Sequence, residues 1–276
     1  MVAEDADATI TTTPVTTSTV RVTPTLPSTT STSAATTTTT VNLFARPDWL
    51  GARPLPLRPD GHGEVLPTPP ELTDRRLETI DLLEPPASEE FAASIEVIPP
   101  DVLARSSWTD DCPVTLDELR YVTVSHYGFD GRLHTGEMIV NAAVAEDVVG
   151  VFATLHEERF PIEQMRVTTL DEVDDHPTGD FNETGSFVCR SAVGSDNWSR
   201  HAYGLAIDVN PFNNPYVKDD LVIPELASAY ANRDDLRPGM IVPGDVVTVA
   251  FAEIGWEWGG NWSTLKDWMH FSTTGG

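Results

Sequence analysis

Apolar residues recur at regular spacing only from about residue 95 onward, and there they predict strands and helices. The segment LRYVTVSHY, residues 119–127, is rich in β-branched and aromatic residues and predicts a strand. Residues 141–160 place apolar side chains at helical spacing, with Asn141 as the candidate N-cap. Residues 244–256 have helical spacing again. Strands mixed with segregated helices indicate an α+β domain.

Shorter elements are predicted between and after these segments. They are a helix over Leu116–Leu119, strands over residues 166–170 and Phe187–Arg190, and a last strand over residues 268–272. The segment GLAIDVN alternates strictly between apolar and other residues, as a half-buried strand does. Its apolar face carries Ile207 and Val209, so Asp208 is expected to point to the opposite side.

The first hundred residues differ in composition from the rest. Residues 1–40 are dominated by Thr, Ser and Pro and predict a disordered stalk, because they cannot bury enough apolar surface to offset chain entropy. Residues 41–100 are proline-rich without a sustained period, which predicts an extension that partly wraps the domain, with a short helix around Leu72–Leu83. Residues 101–276 form the predicted domain.

The chain carries 17 basic and 43 acidic residues, a formal net charge of −26. Such a surface repels phosphate backbones and anionic lipids, which disfavours binding to nucleic acid or to a charged membrane. No apolar run approaches the roughly 18 residues of a membrane span, and the acidic first ten residues predict no signal peptide in this chain. The two cysteines, Cys112 and Cys189, fit either buried thiols or one disulfide of an exported protein.

Two segments pair a histidine with a carboxylate. SRHAYGLAIDVNP contains His201 and Asp208, and DWMHF contains Asp267 and His270. Two histidines and one carboxylate make a three-ligand zinc site with a fourth position for water, and the second carboxylate would take a proton from that water. In each fragment taken alone, a structural histidine or a turn-supporting aspartate is the more common role, and the two fragments together leave both interpretations open.

The same segments resemble the motifs of the M15 family of D-Ala-D-Ala metallopeptidases. SRHAYGLAID is similar to the SxHxxGxAxD signature, and WEWGGNWSTLKDWMHF is similar to the closing W-G-G-x-W…(D/E)-x-x-H segment. Further stretches from DCPV to VNPFNNPY resemble the VanY-like carboxypeptidase subgroup, so that the resemblance covers roughly residues 105–272. It implies a hedgehog/DD-peptidase-like fold, an antiparallel sheet with flanking helices.

The resemblance also implies roles for individual residues. The implied zinc ligands are His201, Asp208 and His270. Asp267 would be the general base and acid, at a position where many relatives have Glu. Arg190 would stabilise the oxyanion or hold a substrate carboxylate, and Ser199 would line the cleft. Cys112 and Cys189 would form a disulfide.

These roles imply a zinc-dependent peptidase of peptidoglycan stem peptides that acts outside the cytoplasm, most simply as a monomer. A D-Ala-D-Ala carboxypeptidase is the leading hypothesis. The alternatives are an endopeptidase for a bond such as L-Ala-D-Glu, and a non-catalytic zinc-bearing module that binds the cell wall. His/His/Asp sites also accept other divalent ions, so the sequence does not fix the metal used in the cell.

Other candidate sites have simpler explanations. His156 begins a stretch like HExxH, but Phe160 stands where the second ligand would be. The acidic run Asp171–Asp175 lacks the glycine and closing glutamate of an EF-hand loop and is expected to be solvated. His126 and His134 flank the GFDG turn and are expected to be structural.

Overall fold

The computed structural model describes residue 11, residues 44–173 and residues 175–274. Residues 41–276 group into one compact unit, so the proline-rich extension belongs to the same unit as the predicted domain. The predicted stalk, residues 1–40, lies outside the described residues except for residue 11. None of the helices in the described part of the chain has the length and apolar character needed to cross a bilayer.

The described residues form short strands, four α-helices and five 3-10 turns. The strands are β1 (Ala93–Glu96), β2 (Leu119–Tyr127), β3 (Leu133–Asn141), β4 (Gln164–Met165), β5 (Glu183–Thr184), β6 (Ala206–Asp208), β7 (Tyr216–Lys218), β8 (Leu221–Ile223), β9 (Glu257–Trp258), β10 (Lys266–Asp267) and β11 (His270–Ser272). The α-helices are α1 (Pro100–Arg105), α2 (Ala145–Glu157), α3 (Leu170–Val173) and α4 (Val246–Glu253). The 3-10 turns are Pro70–Leu72, Leu116–Glu118, Arg200–Tyr203, Ser228–Ala231 and Gly259–Asn261.

The longest strands, β2 and β3, form a hairpin whose register runs from Leu119 opposite Asn141 to Tyr127 opposite Leu133. The turn between them includes Gly131 with a φ of 75°, a left-handed conformation that glycine adopts at little cost. β1, from the extension, pairs antiparallel with the other edge of β2. The strand predicted from LRYVTVSHY is confirmed at both ends.

Three smaller sheets complete the described fold. β11 lies between β6 and β9, and β7 lies between β10 and β8, all in antiparallel pairs. β4 and β5 form a short parallel pair. The α+β prediction is therefore confirmed in a coarse form, as a mixed fold of small, mostly antiparallel sheets and few helices.

The main core joins β2 and β3 to α2, α4 and the β6–β11 pair. Its buried phenylalanines, Phe152, Phe251 and Phe271, are at most 1% exposed, and burying such a side chain contributes about 1.5–3 kcal/mol. Ile207 of β6 is fully buried in the same core, as the alternating pattern predicts. Because neighbouring strand residues face opposite ways, the next residue, Asp208, points out of this core.

The extension contributes to a second core. Leu72 and Leu77 are at most 1% exposed and pack in one cluster with Phe212 and Tyr230, which belong to the segment after β6. The extension is thus part of the same folded unit.

The helix predicted over residues 141–160 is confirmed in type but begins later, at Ala145 with Val144 as N-cap. Asn141 is the last residue of β3, and its side-chain amide donates to the Tyr203 carbonyl at 3.0 Å. The prediction of Asn141 as the cap is wrong because strand pairing with β2 extends as far as this residue.

The strand predicted over Phe187–Arg190 is also wrong. The Phe187 N–H donates to the Ile139 carbonyl, whereas the Val188 N–H donates to the carbonyl of His201. Consecutive residues bond to different parts of the chain, so no continuous ladder forms here.

Two further predictions need correction. Residues 166–170 are not a strand, because β4 ends at Met165 and a helical turn begins at Leu170. In place of a helix over Leu72–Leu83 the chain has only the 3-10 turn Pro70–Leu72. Tertiary contacts override weak local preferences in both segments.

Candidate metal centre

His201 is held on a single 3-10 turn, Arg200–Tyr203. The hydroxyl of Ser199 accepts from the His201 backbone N–H at 3.3 Å and caps the turn. Gly204 ends it with a φ of 65°, and a Cβ at this glycine would lie 2.6 Å from the backbone nitrogen of Asn141. Only glycine fits this position, so the turn is fixed against the end of the hairpin.

The His201 ring is buried, with 3% exposure, and oriented by its backbone environment. Its Nδ1 donates to the carbonyl of Ser186 at 2.6 Å, which places the ring proton on Nδ1. The Nε2 atom is then an acceptor. This is the arrangement of a histidine that binds a metal through one nitrogen and is oriented through the other.

Asp208 and His270 lie directly opposite each other on β6 and β11. Paired residues of antiparallel strands direct their side chains to the same face, so both point to the side away from the main core. The backbone of Asp208 is also bonded to Gly185, with N···O distances of 2.9 and 3.1 Å. The strand that carries Asp208 is therefore fixed on both edges.

Three nearly equal distances join the candidate ligand atoms. His201 Nε2 lies 3.2 Å from His270 Nδ1 and 3.2 Å from Asp208 Oδ2, and His270 Nδ1 lies 3.1 Å from Asp208 Oδ1. Nitrogen and oxygen ligands of a tetrahedral zinc ion lie about 3.3 Å from one another. The donor set and its spacing therefore fit a zinc ion held by three protein ligands.

The electrostatics of the cluster favour an ionised Asp208. Burial by itself would raise the pKa of Asp208, but the charges and hydrogen bonds of His201 and His270 in their protonated forms outweigh it and hold that pKa below its ordinary value. The Asp208 side chain remains 20% exposed, so one side of the cluster is open. An ionised carboxylate beside two buried imidazoles is the ligand chemistry that divalent zinc prefers.

Asp267 lies on β10, three residues before His270, and is half-buried. Its Oδ1 atom is buried and has no hydrogen-bond partner among the described residues. Burial raises the pKa of Asp267 to about 7, against the opposing charge of His270 and with reinforcement from the negative charge of Asp208. A carboxylate with this pKa both accepts and releases a proton near neutral pH.

The loop before β10 brings an indole to the centre. The Nζ of Lys266 donates to the carbonyls of Gly260 at 3.0 Å and Trp262 at 2.6 Å, which closes the loop. The Trp262 ring centroid lies 5.6 Å from that of His270. Trp262 therefore forms part of the wall beside the ligands.

Arg190 and Ser199 face each other across a short hairpin, since the Ser199 N–H donates to the Arg190 carbonyl at 3.1 Å. The preceding residue, Cys189, is bonded to Cys112 in a disulfide with a sulfur–sulfur distance of 1.98 Å, the pairing that the resemblance implies. The positive charge of Arg190 acts to lower the pKa of Asp267, so its guanidinium lies within electrostatic range of that carboxylate.

The remaining buried histidines lie on β2, β3 and α2, which carry none of the candidate ligands. His126 and His134 are opposite each other in the β2–β3 hairpin. His134 is bonded to Asp81 at 2.7 Å and Asp130 at 3.3 Å. The ring of His156, near the end of α2, packs on aromatic side chains.

The predicted solvated run Asp171–Asp175 is described except for residue 174. Its Glu172 accepts hydrogen bonds from the backbone and hydroxyl of Thr169 and pairs with Arg166. This carboxylate therefore closes a local turn.

Two residues that position the candidate ligands and Asp267 were not predicted from the sequence. Ser186 acts through its backbone carbonyl, which no side-chain pattern reveals. Gly259 lies against Asp267, and the only signal for it is the paired glycine in WGGNW.

A comparison with known protein families matches the segment that contains the three candidate ligands. Residues 193–273 match a model of the M15 peptidase family that is described as D-alanyl-D-alanine carboxypeptidase. No curated protein and no solved structure matches the chain. The matched segment contains Ser199, His201, Asp208, Asp267 and His270. Residues 193–273 are therefore similar to the M15 peptidase family, the family that the sequence motifs resemble.

Proposed function

We propose that this chain is a zinc-dependent D-Ala-D-Ala carboxypeptidase that removes the terminal D-alanine from peptidoglycan stem peptides. The observation that carries the proposal is the convergence of His201, Asp208 and His270, whose ligand atoms all lie within 4.8 Å of one another. Asp267 stands beside this cluster with a pKa raised by burial to about 7.

The three ligands would hold the ion through His201 Nε2, His270 Nδ1 and the Asp208 carboxylate. When bound, zinc supplies Lewis-acid chemistry that polarises a carbonyl and makes water more acidic. Because the Asp208 side chain is partly exposed, water and substrate have access to the cluster from that side.

Asp267 would move the protons. Its Oδ1 accepts a proton from the attacking water and then delivers it to the amine that leaves when the peptide bond breaks. A general acid–base group works best when its pKa lies near the working pH, and the buried position of Asp267 provides this. The unpartnered Oδ1 is free for this role within the described part of the chain.

Arg190 would bind the substrate. Its Nη1 donates to the carbonyl of Ser191 at 3.1 Å, and it forms no salt bridge with any described residue. The remaining donors of its planar guanidinium can bind a carboxylate in a bidentate manner. A free terminal carboxylate is present on a D-Ala-D-Ala stem and absent next to an internal bond, which favours the carboxypeptidase over the endopeptidase.

The setting of the enzyme follows from the same features. A disulfide between Cys112 and Cys189 and a cell-wall substrate both favour action outside the cytoplasm. We also propose that the chain is a member of the VanY-like subgroup and has the hedgehog/DD-peptidase-like fold. The family match and the small antiparallel sheets around the centre support this proposal.

The test is a digest of purified muropeptides by zinc-loaded protein, read by mass. Asp267→Asn and a chelated sample serve as controls. Loss of one terminal D-alanine that requires both zinc and Asp267 is the expected result. An internal cut would replace the carboxypeptidase by an endopeptidase. No cut by folded, zinc-bound protein would favour the non-catalytic binding module.

A further inference from the structure

Arg75 of the proline-rich extension is a buried charge, 1% exposed. Its Nε and Nη2 each donate to Glu163 at 2.7 Å, and its Nη1 donates to the Asp180 carbonyl at 2.7 Å. The guanidinium also lies 4.4 Å from the centre of the Phe212 ring. Arg75 thus connects the extension to three separate segments of the domain.

The partner of Arg75 is the start of a buried polar network. Glu163 Oε2 accepts from the Asn182 amide at 2.7 Å, and the Glu163 backbone N–H donates to the side-chain oxygen of Asn210 at 3.1 Å. Asn182 accepts in turn from the backbone N–H of Phe212 at 2.8 Å. Glu163, Asn182 and Asn210 are at most 1% exposed, so none of them has water as an alternative partner.

This network contacts the chain just after β6, the strand that carries Asp208. Asn210 follows Asp208 by two residues and has a φ of 44°, a left-handed conformation that a non-glycine residue keeps only when its surroundings hold it. Its backbone N–H donates to the hydroxyl of Thr184 at 3.0 Å, next to Gly185, which pairs with Asp208. The network therefore fixes both the chain that leaves β6 and the chain that pairs with it.

Among the described residues, the carboxylate of Asp208 has polar side-chain contacts only with the two ligand histidines, at 3.2 Å from His201 and 3.1 Å from His270. Its position is consequently set by the backbone on either side. We propose that Arg75 is a positioning residue for the metal centre, which holds Asp208 in place through Glu163, Asn182 and Asn210. The inference rests on the proposed zinc site and assigns the extension a part in it, although Arg75 lies outside the matched segment 193–273.

The proposal predicts that zinc affinity depends on the planar, multiple-donor geometry of the Arg75 guanidinium as well as on its charge. Lysine keeps the charge but has no planar pair of donors, so Arg75→Lys cannot satisfy both Glu163 oxygens and the Asp180 carbonyl in the same geometry. Loss of a group bonded directly to a metal ligand lowers metal affinity by about 10- to 100-fold. Arg75 acts through Glu163 and Asn210, so we expect a decrease at the lower end of this range, about tenfold, in zinc affinity for Arg75→Lys.

The experiment uses the full chain. Zinc affinity is measured by competition with a chromophoric chelator, and the ligand geometry by the visible absorption of the Co²⁺-substituted protein, both well below the unfolding temperature. Tyr230→Phe is the matched control. It removes the hydroxyl that accepts from the Arg75 backbone N–H at 2.8 Å and leaves the side-chain network intact.

If Arg75→Lys does not fold, the double variant Arg75→Met/Glu163→Gln replaces it, since it removes both members of the buried ion pair and leaves only the partly exposed Arg46 without the carboxylate that it contacts at 3.3 Å. Weakened zinc binding and an altered Co²⁺ spectrum in the folded variant, with both unchanged in Tyr230→Phe, support the proposal. A folded variant with the affinity and spectrum of the wild type would overturn it.

The wild-type chain separates this inference from the proposed function. Zinc binding without cleavage of muropeptides would refute the carboxypeptidase and leave the test of Arg75 intact. No zinc binding by the wild type would overturn the metal centre and the role of Arg75 together.

Discussion

Gly259 lies against Asp267 so closely that a Cβ on the glycine would sit 2.5 Å from the Asp267 carbonyl oxygen and 2.8 Å from its Cβ. Carbon atoms in proteins pack at about 3.5–4.0 Å, so no side chain fits between the two residues. The 3-10 turn Gly259–Asn261 and the strand β10 are consequently in direct backbone contact. The carboxylate proposed as general base depends on this contact for its position.

Gly259→Ala is therefore expected to displace Asp267. Misplacement of a catalytic group by about 1 Å can cost about 100-fold in rate, and we expect kcat to fall by about that factor while zinc stays bound. Steady-state cleavage and zinc content measure the two effects. Gly150→Ala is the control, because nothing lies within 4 Å of the Cβ that it adds to α2. Equal activity of the two variants would contradict the role of Gly259.

Asp267→Asn is expected to keep its metal and lose its turnover. The amide cannot accept the proton from water, and general acid–base groups contribute about 10²- to 10⁴-fold to rate. Single-turnover cleavage together with zinc analysis gives the comparison. Asp267→Glu keeps a carboxylate at this position and should restore part of the rate. Wild-type turnover in Asp267→Asn would remove Asp267 from the mechanism.

His270→Ala removes one of three ligands and is expected to abolish tight zinc binding. A ligand that binds only the folded state at 100 times its Kd stabilises it by about 2.7 kcal/mol, so zinc should raise the Tm of the wild type and not that of the variant. Thermal unfolding with and without zinc is the measurement. His176→Ala, at an exposed histidine in the acidic loop, is the control and should respond to zinc like the wild type.

The Cys112–Cys189 disulfide closes a loop with a sequence separation of 77 residues. In the chain-entropy model a loop of this length contributes about 4–5 kcal/mol to the free energy of unfolding, which sets the upper size of the loss in Cys112→Ser/Cys189→Ser. Urea unfolding of the oxidised protein and of the variant gives the difference. Thiol titration of the unreduced, unfolded wild type should find no free thiol, and two free thiols would exclude the bridge.

Acid should destabilise the fold through His126. Burial, with the nearby charge of His134, lowers the pKa of His126 from 6.5 to about 4. Well above pH 6.5 the His126 ring is neutral in both the folded and the unfolded state. As the pH falls from there toward 4, only the unfolded chain takes up the proton, so stability is lost, by about 3 kcal/mol at most.

The corresponding measurement is the free energy of unfolding from urea titrations between pH 7 and pH 4. His126→Gln should flatten the pH dependence in this range, although its stability at pH 7 is lower. His176→Gln changes an exposed histidine and should leave the slope as in the wild type. An identical slope in His126→Gln and in the wild type would assign the acid sensitivity to other groups.

The sequence by itself determined the parts of the molecule that rest on local pattern. The β-branched run of β2, the alternation of Ile207 and Val209 and the helical spacing of α4 all reflect which side chains must leave water, and that can be counted along the chain. The motifs around His201 and His270 likewise placed the candidate ligands, because residue type and spacing are both visible in sequence.

Only the tertiary structure decided how these pieces act together. His270 meets Asp208 because two strands far apart in sequence pair in one register, and no local pattern specifies that register. The strand predicted at Phe187–Arg190 does not form, since its backbone is bonded to different segments. The link from Arg75 to Glu163 spans 88 residues and depends on burial, which gives Arg75 a role that its surroundings in sequence do not indicate. Close approach, register and burial are properties of the folded chain, and these properties set the geometry of the centre.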